Sequence, residues 1–237
     1  MKTMKEKGIS AIPSPVAEEH KNSRNYQTGG HFKMIRNLSI ADCISLGNMA
    51  CGMTAIFICV NYYRVLDTAL IYQAFGFILL GWFLDTIDGP IARARKTNSS
   101  LGRELDSFAD GITFAIAPSL IAYVTGFNSG LDGLVLVLFV ACCISRLSRF
   151  NATSEEFSFG SNIVKLILGL PTASSLLPTG IIVILLWTNN LWMVLELGKI
   201  SFQTYTLHIP VLLYLFLGLL MISDTIRFTR PGTKITP

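Results

Sequence analysis

From residue 36 onward the chain alternates long apolar runs with short polar breaks. The runs centre on residues 40–62, 69–90, 107–126, 131–149, 166–188 and 206–225, each close to the ~20 residues with which a helix crosses a bilayer. The pattern predicts an all-α, polytopic membrane protein with six transmembrane helices. Asn128, Ser129 and Gly130 mark one turn and Thr188, Asn189 and Asn190 another, and breaks this short favour antiparallel neighbours packed as a bundle. No internal repeat is evident. Residues 1–35 differ: they carry Lys2, Lys5, Lys7, Lys21, Arg24 and Lys33 and a Pro-Ser-Pro stretch, with no apolar periodicity. They predict a disordered cytoplasmic tail, ahead of a membrane domain over 36–226 and a short tail over 227–237. The first stretch lacks the apolar core and cleavage site of a secretory signal, so the first hydrophobic helix is expected to direct insertion.

Composition sharpens this reading. The 237 residues are 51% hydrophobic and 14% charged with a mean hydropathy of +0.52, against roughly 25% charged in soluble domains. A soluble domain is therefore disfavoured. With the first tail in the cytoplasm, Arg93, Arg95, Lys96, Arg103, Arg146, Arg149, Lys165, Arg227, Arg230 and Lys234 face inward, and Arg64 and Lys199 face outward. That asymmetry obeys the positive-inside rule and puts both termini in the cytoplasm. Sequons at Asn37, Asn98 and Asn151 then lie on the cytoplasmic side and are predicted to carry no glycan. Cys43, Cys51, Cys59, Cys142 and Cys143 lie in or beside apolar runs, with no histidine at zinc-site spacing, and are expected to be small core residues. His20 and His31 fall in the tail, while His208, in Leu-His-Ile-Pro, is expected to be a polar packing residue. Carboxylates are left as the natural catalytic groups.

The informative segment begins at Phe83: FLDTIDGPIARARKTNSSLGRELDSFADGITFAIAPS. Asp85 and Asp88 are spaced i, i+3, and Asp106 and Asp110 are spaced i, i+4, so each pair projects from one helix face. Antiparallel packing would bring the pairs together. Four carboxylates at a membrane boundary repel unless neutralised, and oxygen-only ligands favour hard divalent cations, Mg²⁺, Mn²⁺ or Ca²⁺. A pair of ions ~4 Å apart polarises phosphoryl oxygens, so the expected substrate is a phosphate ester or anhydride. Gly89 and Gly102 permit close backbone approach, Arg93, Arg95, Lys96 and Arg103 offer donors to phosphate, and Pro90 is expected to end or kink its helix. A solvated interfacial loop is the plainer alternative for any one of these charges. Four spaced acids within membrane segments together favour function.

The segment resembles the signature of the CDP-alcohol phosphotransferase family, Asp-x2-Asp-Gly-x2-Ala-Arg followed by Gly-x3-Asp-x3-Asp. Asp85, Asp88, Gly89, Ala92, Arg93, Gly102, Asp106 and Asp110 fill every position at the family spacing. The resemblance implies metal-assisted transfer of a phosphatidyl or related group from a CDP-linked lipid to an alcohol, with release of CMP. It also implies that Asp85, Asp88 and Asp106 hold metal ions, and that Asp110 approaches a second ion and acts as general base. By the same likeness Gly89, Arg93, Ser99 and Gly102 line the CDP site, with Asn48 near the nucleotide, and the protein forms a homodimer. Ser99 and Asn48 have an alternative as helix-terminal or interhelical polar groups.

The signature leaves the acceptor open among serine, inositol, inositol phosphate, glycerol phosphate and choline. Flanking text, GRELDSFAD with TFAIAPS, SRLSRFN from Ser145 and GLP from Gly169, is similar to the family's serine-using, CDP-diacylglycerol-dependent branch. HFKMIRNLSIADCISLGN resembles its fungal members, which implies the endoplasmic reticulum membrane, or the plasma membrane in a prokaryote. L-serine needs a cation for its carboxylate and an anion or acceptor for its ammonium. Arg146, Arg149 and Asn151 are candidates for the first, Glu104 for the second, and Phe150 for the wall. Arg146 and Arg149 have an alternative as positive-inside anchors, and Glu104 as partner of a neighbouring arginine. An ion pathway predicts acids spread through the membrane depth, whereas these cluster at one end. An inactive scaffold predicts loss of an aspartate, and all four are present.

Overall fold

The computed structural model describes residues 39–95, 100–156, 166–168, 170–202, 205–223 and 227–229. The expected N-terminal tail, Ser99 and the end of the C-terminal tail lie outside them, as does the side chain of Arg93. α1 spans Ile40–Val65 and starts at a capping box: the Ser39 hydroxyl accepts from the Asp42 amide at 3.2 Å and the Asp42 carboxylate accepts from the Ser39 amide at 2.8 Å. It ends at Leu66, left-handed at φ 58°, whose amide donates to Tyr62 O. The chain then turns directly into α2, Thr68–Arg95.

Along α1 the buried positions Ser45, Asn48, Cys51, Gly52, Ala55 and Cys59 recur every three or four residues, a stripe of mostly small side chains. In lipid, helices associate through packing and hydrogen bonds rather than by expelling water, so small residues matter where backbones meet. A Cβ on Gly52 would lie 2.9 Å from the Thr113 Cα, and one on Gly81 of α2 would lie 2.8 Å from Asn48 Oδ1. These glycines let three helices meet at the level of the acids.

α2 continues through Pro90 to Arg95, five residues beyond the expected break. A proline deletes one backbone donor, a loss tolerable near a helix end where water can reach the freed carbonyl. α3, Ser100–Asp110, runs into a π-helical stretch, Gly111–Ile116, and then α4, Ala117–Val124. Here the Ala117 amide donates to Ile112 O, five residues back, just before Pro118, which has no amide hydrogen to continue the regular ladder. α5 spans Gly130–Glu156. A 3₁₀ turn, Thr172–Ser175, leads into α6, Leu176–Trp187, and α7 is Leu191–Leu197. α8, Leu212–Ile222, follows a 3₁₀ turn over Ile209–Val211.

Among the described residues, Ile40–Val65, Thr68–Ile91, Leu101–Val124 and Gly130–Ala152 are long and apolar enough to span a membrane. Thr172–Trp187 with Leu191–Leu197 adds a fifth candidate, bent by 113°, while Ile209–Ile222 is shorter. The described residues are thus mainly helical with four or five candidate spans, against the six expected. Two expected spans begin late: Leu166–Leu168 is strand β1, and Tyr205–His208 is strand β3. β1 pairs antiparallel with β4, Arg227–Thr229, and β3 with β2, Lys199–Phe202. Pro171 and Pro210 set the helical starts, because proline's fixed φ suits a first turn but not its interior.

Phe114, Ile121, Phe139 and Tyr214 fill the centre, with the Phe139 and Tyr214 rings edge-on at 5.2 Å. Phe57, Trp82, Val137, Ile184 and Phe216 are exposed on the outside, as lipid-facing residues are. Cys51, Cys59 and Cys143 are buried as expected, but Cys43 is exposed. At the start of α5, Asp132 is fully buried and its carboxylate accepts from the His208 amide at 2.9 Å and meets His208 Nδ1 at 2.6 Å.

Candidate active site

Where α2 and α3 approach α1, single carboxylate oxygens of Asp85, Asp88 and Asp106 lie within 4.8 Å of one another. The i, i+3 and i, i+4 spacings put each pair on one helix face, and the close α1 contact turns those faces together. Asp85 and Asp110 are within hydrogen-bonding reach of each other, as are Asp88 and Asp106. Such approach between carboxylates requires a proton or a cation between them. Ser45 Oγ donates to Asp88 Oδ2 at 2.9 Å, and Asn48 Nδ2 donates to Asp110 Oδ1 at 3.3 Å. Thr113, on the π-helical stretch, donates to Asn48 O at 3.0 Å and so fixes the height of Asn48 on α1.

The donor set suits a hard divalent ion. Its ligands are carboxylate oxygens, and Asp106 Oδ1 is buried without any hydrogen-bond partner, an arrangement costly unless something positive completes it.

Beside the acids is a cavity of about 210 Å³ lined by Asp85, Arg103, Asp106, Asp110, Arg146 and Thr172, with Ser107, Phe150 and Asn151 on its wall. Arg146, on α5, faces Asp110 and Asp85 electrostatically, and its Nε is buried with no acceptor. The cavity therefore gathers cations and carboxylates around a space the size of a small polar molecule. A second cavity of about 270 Å³, lined mainly by Phe108, Ile112, Ile116, Ile144 and Leu147 and also by Glu104, shares Ser107, Leu147 and Asn151 with it.

The expected site residues thus separate into groups. Asp85, Asp88, Asp106 and Asp110 converge; Arg146, Phe150 and Asn151 share the polar cavity. Glu104 lines the apolar cavity instead, and Arg149 Nη1 donates to Ile222 O at 3.1 Å, tying α5 to the end of α8. Asn48 touches the acids directly rather than through a ligand. Gly89 adjoins Asp88 on α2, and Gly102 lies in the first turn of α3. Sequence reasoning missed Ser45, Ser107 and Thr172. Ser45 had a usable signal, lying three residues before Asn48 on the same face of α1.

A membrane-embedded acid cluster with an arginine-lined polar cavity is the equipment of a metal-assisted phosphoryl transferase. The sequence pattern of CDP-alcohol phosphatidyltransferases matches residues 38–223, and the chain belongs to that family. It is similar to the CDP-diacylglycerol--serine O-phosphatidyltransferase of Saccharomyces cerevisiae, 34% identical over 209 residues, 85% of this chain and 74% of the relative. The Methanocaldococcus jannaschii protein of the same name is 28% identical over 86% of this chain and 80% of its own length. The Bacillus subtilis one is 42% identical over 48% of this chain and 61% of its own length.

Proposed function

We propose that the protein transfers the phosphatidyl group of CDP-diacylglycerol to L-serine, releasing CMP and leaving phosphatidylserine in the membrane. The carrying observation is the convergence of Asp85, Asp88 and Asp106 beside a polar cavity that also holds Asp110 and Arg146. Likeness to serine-using relatives from yeast, a bacterium and an archaeon supports the acceptor.

Asp85, Asp88 and Asp106 would hold the divalent ions, Mg²⁺ or Mn²⁺ with Ca²⁺ as a third candidate, and Asp110 would approach the second of them. When bound, the ions polarise phosphoryl oxygens and offset the charge gathering on the departing CMP. Asp110 Oδ2 takes the proton from the serine hydroxyl, while Asn48 occupies Oδ1 and holds the carboxylate in place. The serine oxygen bonds to the phosphorus bearing diacylglycerol as the bond from that phosphorus to the CMP oxygen breaks. Arg146 and Asn151 receive the serine carboxylate and Phe150 walls the cavity; Glu104, from the neighbouring cavity, meets the ammonium, and Arg149 supports α5. Gly89, Arg93, Ser99 and Gly102 bind the CDP moiety.

The bent helix pair makes the fifth span and Ile209–Ile222 the sixth, with both termini and the acids at the cytoplasmic face, as the distribution of basic residues favours. A eukaryotic source would place the enzyme in the endoplasmic reticulum membrane and a prokaryotic one in the plasma membrane. Family resemblance supports a homodimer.

The test is CMP release by purified protein from CDP-diacylglycerol with Mg²⁺ or Mn²⁺, offered serine, inositol, glycerol phosphate or choline in turn. Phosphatidylserine formed with serine alone is the expected result. CMP release with another alcohol overturns the acceptor, and none with any overturns the enzyme reading.

A further inference from the structure

Hydroxyls on these helices mostly bond within their own helix. Thr54, Thr86, Ser119 and Thr179 each donate to the carbonyl four residues back, the usual resting place of a helical serine or threonine. Ser107 differs. From α3 its hydroxyl crosses to α5 and donates to Asn151 Oδ1 at 3.2 Å. The two residues stand on the wall common to the polar and apolar cavities, next to the acids on one helix and Arg146 on the other.

A side-chain amide is ambidextrous, presenting either its oxygen or its two N–H groups to a ligand. An acceptor with a carboxylate needs the N–H end, and turning the amide round would set oxygen against oxygen. The geometry points to Ser107 as the positioning residue for acceptor selection: by engaging Asn151 Oδ1 it leaves the amide's N–H groups as what Asn151 offers a carboxylate beside Arg146. Ser107 touches neither the phosphorus nor CMP; it acts through Asn151. Sequence distance hides this, because the partners are separated by 44 positions. The inference deepens the serine reading and rests on it.

The experiment measures CMP release by full-length purified protein while serine and CDP-diacylglycerol are varied separately. Ser107→Ala is expected to raise the KM for serine roughly three- to tenfold, the worth of one hydrogen bond, with the KM for CDP-diacylglycerol within about twofold of wild type. Ser107→Thr, which keeps the hydroxyl, restores the serine KM. In an Asn151→Ala background, Ser107→Ala adds no further increase, since residues acting as one unit are not additive. An unchanged serine KM in Ser107→Ala, equal increases for both substrates, or an undiminished effect in the Asn151→Ala background overturns the proposal. If Ser107→Ala does not accumulate as folded protein, Asn151→Asp decides: it still accepts from Ser107 but offers no N–H, so the serine KM must rise selectively, and an unchanged value overturns the role. A wild-type protein that uses another alcohol exposes failure of the serine reading before any variant is compared, and the proposal falls with it.

Discussion

Ser45 on α1 donates to Asp88 on α2 at 2.9 Å, so one acid of the cluster is held by a helix that contributes no carboxylate to it. A ligand oriented this way loses ion affinity when its support is removed, typically about tenfold or more. Ser45→Ala is therefore expected to raise the Mn²⁺ concentration for half-maximal CMP release roughly tenfold, with turnover recovering at saturating ion. An unchanged ion requirement would show that Asp88 needs no support from α1.

Asp110 carries the heaviest catalytic demand. Asp110→Asn keeps its shape and the neighbourhood of Asn48 but cannot take a proton, so turnover should fall at least about 100-fold while the protein remains folded. Asn48→Ala should cost less, since it removes only one donor to Asp110. Comparable single-turnover rates for Asp110→Asn and wild type would remove Asp110 as the base.

Chelation gives a readout separate from the variants. EDTA should stop CMP release, and Mg²⁺ or Mn²⁺ should restore it. The ions bind the folded cluster, so the melting temperature should also fall on chelation by linkage. Asp106→Asn should blunt that thermal response, because Asp106 supplies one of the three converging carboxylates. A melting temperature indifferent to EDTA in wild type would contradict ion binding at the cluster.

Close packing at Gly52 allows a stability test. An added methyl there would meet the Thr113 backbone, which cannot rotate aside, and overpacking of this kind costs about 1–3 kcal/mol. Gly52→Ala should lower both melting temperature and activity. Gly76→Ala, where an added Cβ meets nothing within 4 Å, is the matched control and should leave both near wild type.

Asp132 and His208 stand about 20 Å along α5 from Arg146, at 1.5 Å per residue. Their hydrogen bonds join the start of α5 to the β2–β3 ribbon. Asp132→Ala strands buried donors and should cost about 1–3 kcal/mol of stability, with KM values for both substrates unchanged in the folded fraction. A selective shift in the serine KM would connect this pair to the site after all.

The acids were legible in the sequence because helical periodicity is local: spacings of three and four residues place Asp85 with Asp88 and Asp106 with Asp110 whatever the tertiary fold. Arg146, Phe150 and Asn151, singled out as groups that could receive an amino-acid acceptor, line one cavity beside those acids. What escaped depends on contacts between distant segments. Ser45 reads as an ordinary small residue until α2 lies against it, and Ser107 as an ordinary helical hydroxyl until α5 does. Hydropathy alone also extended two spans too far toward their N-termini, since Leu166–Leu168 and Tyr205–His208 are apolar enough for helix but pair as strands ahead of Pro171 and Pro210. The π-helical stretch gives no periodic signal, being a single widened turn.

That widened turn partitions one continuous rod into two mechanically different tasks. Before it, α3 aims Asp106 and Asp110 at the acid cluster; after it, Pro118, Ile121 and Ala122 of α4 pack into the protein interior. A regular helix would tie both faces to one fixed angular phase. The extra residue per turn resets the phase between them, so the aim of the carboxylates and the fit of the interior can be tuned independently during divergence.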